Sequence, residues 1–382
     1  MSTISRIEAF PVAPRWVFVR IETDDGLVGW GEASLEGHAD IVVTAVRQFA
    51  EYLVGKDPGR IEDHWQVMTK SQFYRGGPVL ASAVAGVDQA LWDLLGKRLE
   101  VPVHELLGGA VRDRIRAYGW VGGDDPSEVA DHISRQMEDG LTAVKMNASG
   151  RMSRSASVHE LDAVVARVAS ARQVLGTDGD VAVDCHGRFS LAAARRLAPL
   201  IEPFHPFFIE EPVIPENSHM IGKIVESTTI PIATGERLYS RQEFLPVLQA
   251  GVAIVQPDIC HAGGISEVRR IASLAETFDA VIAPHCPLGP IALAASLQVG
   301  FATSNYLIQE QSIGIHYNQG AEVLDYLIDT SPLIFVDGHF EIMRAPGLGI
   351  EIDEAAVRSA SAKWDGWQNP LWRHPDGSLA EW

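Results

Sequence analysis

Two periodicities divide the chain. Over the first thirty-odd residues apolar and polar positions alternate with period two, so ISRIEAFPV and WVFVRIETDDGLVGWGEASL read as strands. Asp24-Asp25-Gly26 sits between two of them as a hairpin turn. From about Asp40 the apolar positions space out to the helical period: DIVVTAVRQFAEYLVGK, then IEDHWQVMTKSQF, then PVLASAVAGVDQALWDLLGKRLE. Pro78 suits the first turn of the third helix, and Gly96 lies near its end. Strands followed by a run of helices predict an α+β unit over residues 1–112.

Beyond Arg112 the texture changes to short apolar segments, each followed by a helical stretch. They are IRAYGWVGG, TAVKMN, VAVDCHGR, FFIEEPV, IPIATGE, VAIVQPDI, AVIAPHCP and YLIQEQS. Apolar runs alternating with helices are the mark of parallel strands buried on both faces. Eight of them predict an α/β TIM-type (β/α)7β barrel over residues 113–318, with the first unit as its N-terminal capping domain. A doubly wound open sheet is the structural rival, but no Gly-rich fingerprint follows the first of these strands. The tail, 319–382, carries further strand and turn segments and ends in WDGWQNPLWRHPDGSLAEW. Its tryptophans are expected to pack back onto the capping unit.

Composition narrows the function classes. With 46% hydrophobic residues, a chain of 382 has ample material for a large core. Acidic residues outnumber basic ones by 50 to 31, which argues against nucleic acid and anionic membrane as partners. The start, MSTISRIEAF, lacks the basic-then-apolar pattern of a secretory signal. The most apolar stretch, IALAASLQVGFA, is too short to span a bilayer. Three cysteines, 185, 260 and 286, fit reduced thiols in a cytoplasmic protein better than a disulfide framework.

The chemistry lies in a polar ladder. Each apolar segment from the second onward ends in polar residues: Lys145 and Asn147, Asp184 and His186, Glu210 and Glu211, Glu236, Asp258, His285, Glu310. From Asp184 the rungs are 22 to 27 residues apart, about one β/α unit each. In such a barrel these side chains converge on the C-terminal face, where barrel active sites lie. A single such residue is as often a surface carboxylate or a helix N-cap, but capping does not require one rung per unit. Asp184, Glu210 and Glu236, hard oxygen donors from three adjacent strands, suit Mg²⁺. Cys185, Cys260 and Cys286 adjoin rungs and should face the other way, as packing residues. His186 shares a face with Asp184, beside the metal. His285 and Asp258 sit at matching depth on neighbouring strands, and a carboxylate that orients an imidazole makes a general base. His261 and His316 lie in loops after the sixth and eighth strands, within reach of a substrate. Arg15, Glu36 and the FYRGG loop around Arg75 are the cap residues placed to contact one.

With these residues in place the chain resembles the enolase superfamily, in its mandelate racemase-like branch. The resemblance spans nearly the whole sequence. It runs through RIETDDGLVGWGEA and GVDQALWDLLGK in the cap and VDCHGR, FIEEPV, ATGER, QPDICHAGGISE and APHCPLGP in the barrel. It implies that Asp184, Glu210 and Glu236 bind Mg²⁺ and that Asp258 with His285 forms the base dyad. It further implies that His186 is the acid and that Glu310, protonated, stabilises the enolate, helped by Lys145. Racemases of the branch carry Lys-x-Lys on the second strand, whereas this chain has Lys145-Met146-Asn147. Without the second lysine the opposite substrate face lacks a base, and the branch's acid-sugar dehydratases carry the same asparagine. The segment that follows, ASGRMSRSAS, departs from the family pattern and flanks the site.

The resemblance therefore implies dehydration of an aldonic acid, D-galactonate first among them, to a 2-keto-3-deoxy acid. Arg15, Lys145, Asn147 and His316 are the expected substrate contacts. A homo-oligomer, octameric by analogy, is the expected assembly. Dehydration of gluconate and epimerisation at C2 are the rival enzymatic readings. A non-catalytic binding protein on the same scaffold would have no need for the whole ladder.

Overall fold

The computed structural model describes residues 2–123, 125–315 and 318–382. Strands β1 (Ile4–Val12), β2 (Trp16–Thr23) and β3 (Val28–Glu32) form an antiparallel sheet in sequence order. The β2–β3 turn falls at the expected Asp-Asp-Gly, where Gly26 adopts φ +86° and Thr23 N–H donates to the Leu27 carbonyl at 3.0 Å. Strand β2 is apolar on both faces for a reason. Val17, Val19 and Ile21 join the core of the cap, while Trp16 and Phe18 point the other way and meet Tyr326 of the C-terminal segment.

Helices α1 (Ala39–Leu53), α2 (Ile61–Lys70) and α3 (Pro78–Leu99) cover the sheet, and α4 (Val103–Leu106) leads out of the cap. The glycines of VGWGE let α3 lie directly on β3. A Cβ at Gly31 would sit 1.9 Å from the Gly86 carbonyl oxygen, and one at Gly29 2.3 Å from that of Ala90. Gly96, which the sequence places near the end of α3, does not terminate it. It makes room for Gly347 of the C-terminal segment, whose Cα would lie 2.7 Å from a Cβ there, and left-handed Glu100 ends the helix instead. Helix α3 is long and apolar enough by composition to cross a bilayer, but 72% of its most apolar window is buried within this fold.

All eight apolar segments are parallel strands: β4 (Arg114–Val121), β5 (Ala143–Asn147), β6 (Asp180–Asp184), β7 (Ile209–Glu210), β8 (Ile232–Thr234), β9 (Ile254–Val255), β10 (Val281–Ile282) and β11 (Gln309–Gln311). Between them run α5 (Pro126–Glu138), α6 (Val158–Leu175), α7 (Leu191–Ile201), α8 (Gly222–Val225), α9 (Arg241–Gln249), α10 (Gly264–Glu276) and α11 (Pro290–Phe301). The sheet runs β10 to β4 and on to β11, and it closes where Ile282 pairs with Tyr306 just ahead of β11. Seven helices between eight strands make a (β/α)7β barrel.

The barrel interior explains the ladder. Tyr118, Ala143, Ala182, Phe208, Ala233, Ile254, Ala283 and Ile308, one residue from each strand or its flank, form a closed ring of buried side chains. Two residues further along, the pleat returns each chain to the interior. That step reaches Lys145, Asp184, Glu210, Gln256, His285 and Glu310. Cys185, Cys260 and Cys286 are free thiols in the apolar core outside that layer.

The C-terminal segment divides. Strand β12 (His339–Glu341) pairs antiparallel with β4, and α12 (Glu354–Ser361) lies on the cap sheet through Arg358–Glu8 at 2.9 Å and Arg20–Glu354 at 3.0 Å. Trp364 packs against the cap core, as expected of the tail. Trp372 and Trp382 go instead to the barrel mouth, against Arg188 and His186.

Candidate active site

A cavity of about 950 Å³ opens between cap and barrel. The cap contributes Arg15, Leu35 and Glu36, the barrel Asn147, His186, Glu236 and His285, and the tail Trp367, Trp372 and Trp382. Cavities at such a junction are where small-molecule sites form.

The three acidic rungs line up at the top of β6, β7 and β8. Donor atoms of Asp184, His186 and Glu236 lie within 4.8 Å of one another. Glu210 is fully buried, with one oxygen 2.7 Å from Lys145 Nζ and the other without a hydrogen-bond partner. Burial pushes its carboxyl well above the usual range, against the pull of Lys145. Glu236 also keeps an oxygen without a partner. Burial alone would raise it, but His285, His186 and Arg237 outweigh burial and hold it below the usual range. Buried carboxylate oxygens left without a hydrogen-bond partner are costly unless a cation compensates them. The donor set is all hard oxygen with an imidazole beside it, and it fits a divalent cation.

Glu236 reaches this layer by an irregularity. Gly235 at φ +144° leaves no space for a side chain, since a Cβ would meet Phe244 at 2.5 Å and the Gln256 N–H at 2.9 Å. Glu211 holds the turn: it accepts from Thr234 Oγ1 at 2.5 Å, Gly235 N at 3.0 Å and Arg237 at 2.6 Å. Glu211 is thus a clamp on the Glu236 loop.

His285 Nδ1 lies 2.7 Å from Asp258 Oδ2, and its Nε2 is 3.6 Å from Glu236. Asp258 is fully buried, its other oxygen accepting from Cys260 N at 2.7 Å. Burial lowers the His285 pKa, but Glu236 and the bond to Asp258 overcome this and raise it to about 10. His261 stands 3.8 Å from Asp258 and 6.2 Å, ring to ring, from His285.

Lys145 sits between two carboxylates, 2.7 Å from Glu210 and 2.8 Å from Glu310. Burial disfavours its charge, yet the two glutamates raise its pKa well above the usual value. The second Glu310 oxygen accepts from Cys286 N at 2.9 Å, so both of its oxygens are acceptors here. Asn147 lies at the rim with Trp120 Nε1 3.4 Å from its side-chain oxygen. His186 adopts φ +54°, its Nε2 3.6 Å from Asp184.

Arg15 lines the cavity while its guanidinium donates to Glu36 at 3.0 Å, Asn318 at 3.1 Å and the Pro287 carbonyl at 2.7 Å. Arg75 is exposed, donating to the Lys70 carbonyl, and is not among the cavity's lining residues. His316 lies outside the described residues. Sequence reasoning missed Gln256, Arg188, Arg237 and the three tail tryptophans of the cavity wall. Gln256 and the arginines sit one or two residues from a rung, which was the available signal. Nothing local pointed to the tryptophans.

Comparison with known proteins gives the family. Residues 12–108 match the family model of the mandelate racemase/muconate lactonizing enzyme N-terminal domain, and residues 128–356 the enolase C-terminal domain-like model. Among curated relatives, D-galactonate dehydratases from Variovorax paradoxus and Pectobacterium atrosepticum are 51% and 50% identical, over 99% of this chain and 100% of theirs. Among solved structures, an enolase from Agrobacterium radiobacter, a candidate galactarate dehydratase with sodium and L-malate bound, is 35% identical. Its TM-score is 0.90, over 99% of this chain and 100% of that one. A mandelate racemase/muconate lactonizing enzyme from Sulfitobacter is 29% identical with TM-score 0.90, over 98% and 99%.

Proposed function

Because the chain belongs to the enolase superfamily and is an acid-sugar hydro-lyase, we propose that it dehydrates D-galactonate to 2-dehydro-3-deoxy-D-galactonate with Mg²⁺ as its cation. The observation that carries the reading is the Asp258–His285 pair, 2.7 Å apart, whose imidazole lines the same cavity as His186 and Glu236. The choice of sugar rests on the curated relatives at about half identity that bear its name.

The α-proton of an aldonate is weakly acidic because its neighbour is already a carboxylate. When bound at Asp184, Glu210 and Glu236, the cation supplies positive charge to the substrate carboxylate as negative charge builds there. His285 Nε2 takes the C2 proton, with Asp258 holding the ring by its Nδ1. Glu236, which raises the His285 pKa, would be one of the residues holding the cation; with its charge compensated the ring's pKa falls and the ring is free to accept a proton. The Lys145 ammonium, held between Glu210 and Glu310, is the positive group of this layer, and we assign the electrostatic support of the enolate to it, with Glu310 as the carboxylate that positions it. His186 donates a proton to the C3 hydroxyl as the C3–O bond breaks. The electron pair from C2–H becomes the C2=C3 bond, water leaves, and the enol takes a proton at C3 as its C2 hydroxyl gives one up to become the ketone of the keto acid. Asn147 stands where a racemase has its second lysine, so only one face of C2 meets a base.

The decisive experiment is a panel of aldonates assayed for 2-keto-3-deoxy product with Mg²⁺ and with EDTA. D-galactonate should be turned over fastest, and activity should vanish with EDTA and return with Mg²⁺. Galactonate left inert while gluconate reacts would overturn the choice of substrate, and full activity in EDTA would overturn the cation. A homo-oligomer in a cytoplasmic setting, octameric by family analogy, completes the proposal, and light scattering tests the assembly.

A further inference from the structure

The end of the chain forms a small hairpin at the barrel mouth. Arg373 pairs antiparallel with Leu379, and Ala380 N–H donates to the Trp372 carbonyl at 3.1 Å. His374-Pro375-Asp376-Gly377 makes the turn, with Gly377 at φ +85° and its N–H 2.9 Å from the His374 carbonyl. Asp376 stiffens it by accepting from Ser378 N at 2.9 Å. Residues opposite one another, or two apart, share a face of a hairpin. Trp372, Ala380 and Trp382 are therefore on one face. Leu371 and Leu379, on the other, are exposed.

The tryptophan face meets the wall that carries His186. The Arg188 guanidinium lies 4.8 Å over the Trp372 ring. Arg188 also holds the Ser149 carbonyl and reaches His186 Nδ1 at 3.2 Å. Trp382 packs edge-on to the His186 ring at 6.1 Å, and its main-chain oxygen is 3.3 Å from the same Nδ1. From the loop 148–157, Arg151 donates to the Arg373 carbonyl at 2.5 Å. The loop that departs from the family pattern thus grips the hairpin, and the hairpin touches His186. His186 lies just beyond the end of β6 with left-handed backbone, and its ring is contacted by Trp382 and Arg188. In the protonated ring Nδ1–H donates to the Trp382 carbonyl while Arg188 only flanks it, which leaves Nε2–H to face Asp184 and the cavity.

We propose that the C-terminal hairpin positions the acid: Trp382 directly, and Trp372 through Arg188, hold the His186 ring with Nε2 toward the substrate's C3 hydroxyl. The inference rests on His186 being the acid of the proposed reaction. With the ring held, removal of the C2 proton is followed by proton transfer to the departing hydroxyl and loss of water. With the ring loose, the C3–O bond stays intact and the proton returns to C2 from solvent. Trp372 and Trp382 are positioning residues in this scheme, and their loss should uncouple exchange from dehydration.

The test uses full-length protein with Mg²⁺ in D₂O and D-galactonate, or the panel member turned over fastest. Deuterium entering C2 of recovered substrate is followed by NMR alongside keto-acid formation. Trp382→Ala and Trp372→Ala should lower kcat for dehydration about tenfold with KM within about twofold, because misplaced catalytic groups cost rate rather than binding. Exchange should continue, so exchange events per dehydration rise about tenfold. Trp382→Phe should recover most of the rate, since it keeps an aromatic edge on the ring. His186→Asn is the control: it should stop dehydration and leave exchange running. If His186→Asn dehydrates at the wild-type rate, the acid assignment falls and this inference with it. If that control behaves as expected while the tryptophan variants lose exchange and dehydration in parallel, or lose neither, only the role of the hairpin is overturned.

Discussion

At the scale of single residues the site is a set of charges that need one another. His285 and Asp258 form a hydrogen-bonded pair at 2.7 Å, and no other imidazole among the described residues approaches a carboxylate so closely. Replacing His285 with Asn should therefore slow exchange of the C2 proton about 10³-fold, as expected for a lost general base. Proton NMR of an aldonate in D₂O reads this directly, and exchange near the wild-type rate would remove His285 from its role. Lys145 stands between Glu210 and Glu310 at 2.7 and 2.8 Å. Lys145→Met leaves two buried carboxylates facing each other, and removal of one partner of a buried ion pair costs about 3–5 kcal/mol. Urea unfolding in EDTA should show that loss. Added Mg²⁺ should restore part of it, and an unchanged midpoint would mean that the lysine is no structural counter-charge.

At the scale of elements, the cap is bolted to the loops that carry the base dyad. Glu32, at the end of β3, accepts from Gly289 N and Ala292 N at 2.9 Å each, at the first turn of α11 just after His285. Gln89 of α3 donates to the Ile259 carbonyl at 3.2 Å beside Asp258. Glu32→Ala leaves two buried N–H groups unpaired, at about 1–3 kcal/mol each. The variant should melt several degrees lower and lose kcat more than KM, since the His285 loop loosens. Thermal melts with steady-state kinetics check this, and wild-type values in both would show that the loop holds itself. What the sequence reading did not supply at this scale is the reason for a residue's identity. Gly96 lies near the end of α3 as read, but it is a glycine because Gly347 approaches it closely, and a close approach between distant segments leaves the same residue as a terminator does.

At the scale of the molecule, burial of acids sets the response to pH. Desolvation raises Glu32 and Asp88 to about 7, from ordinary values of 4.5 and 3.8. Groups raised on folding contribute stability below their ordinary pKa and lose it as pH climbs through the folded value. His285, raised from 6.5 to about 10, acts in the same direction at higher pH. The cation-free protein should therefore melt lower at pH 8 than at pH 5. A bound cation should raise the melting point at pH 8, because it binds the folded state alone. Fluorimetric melts at the two pH values with and without Mg²⁺ measure both effects, and a profile flat in pH would contradict the buried charges.

What the chain determines by itself follows from period. Apolar runs of four to eight residues separated by helical stretches are the pattern of buried parallel strands, and a two-residue pleat puts Lys145, Asp184, Glu210, His285 and Glu310 above members of the inner ring. Eight strands, the acidic rungs and the histidines were legible for that reason. Gln256 escaped notice because an uncharged amide in an apolar segment reads as a chance polar residue, and only the closed barrel shows it in the layer of Lys145 and Asp184. Tertiary structure decided what period cannot carry. The engagement of Arg15 with Glu36, Asn318 and Pro287 joins residues up to 303 positions apart. The meeting of Trp382 with His186 spans 196. Contacts at such separations depend on how the closed barrel and its cap bring chain ends together, and no local pattern of apolar and polar positions encodes them.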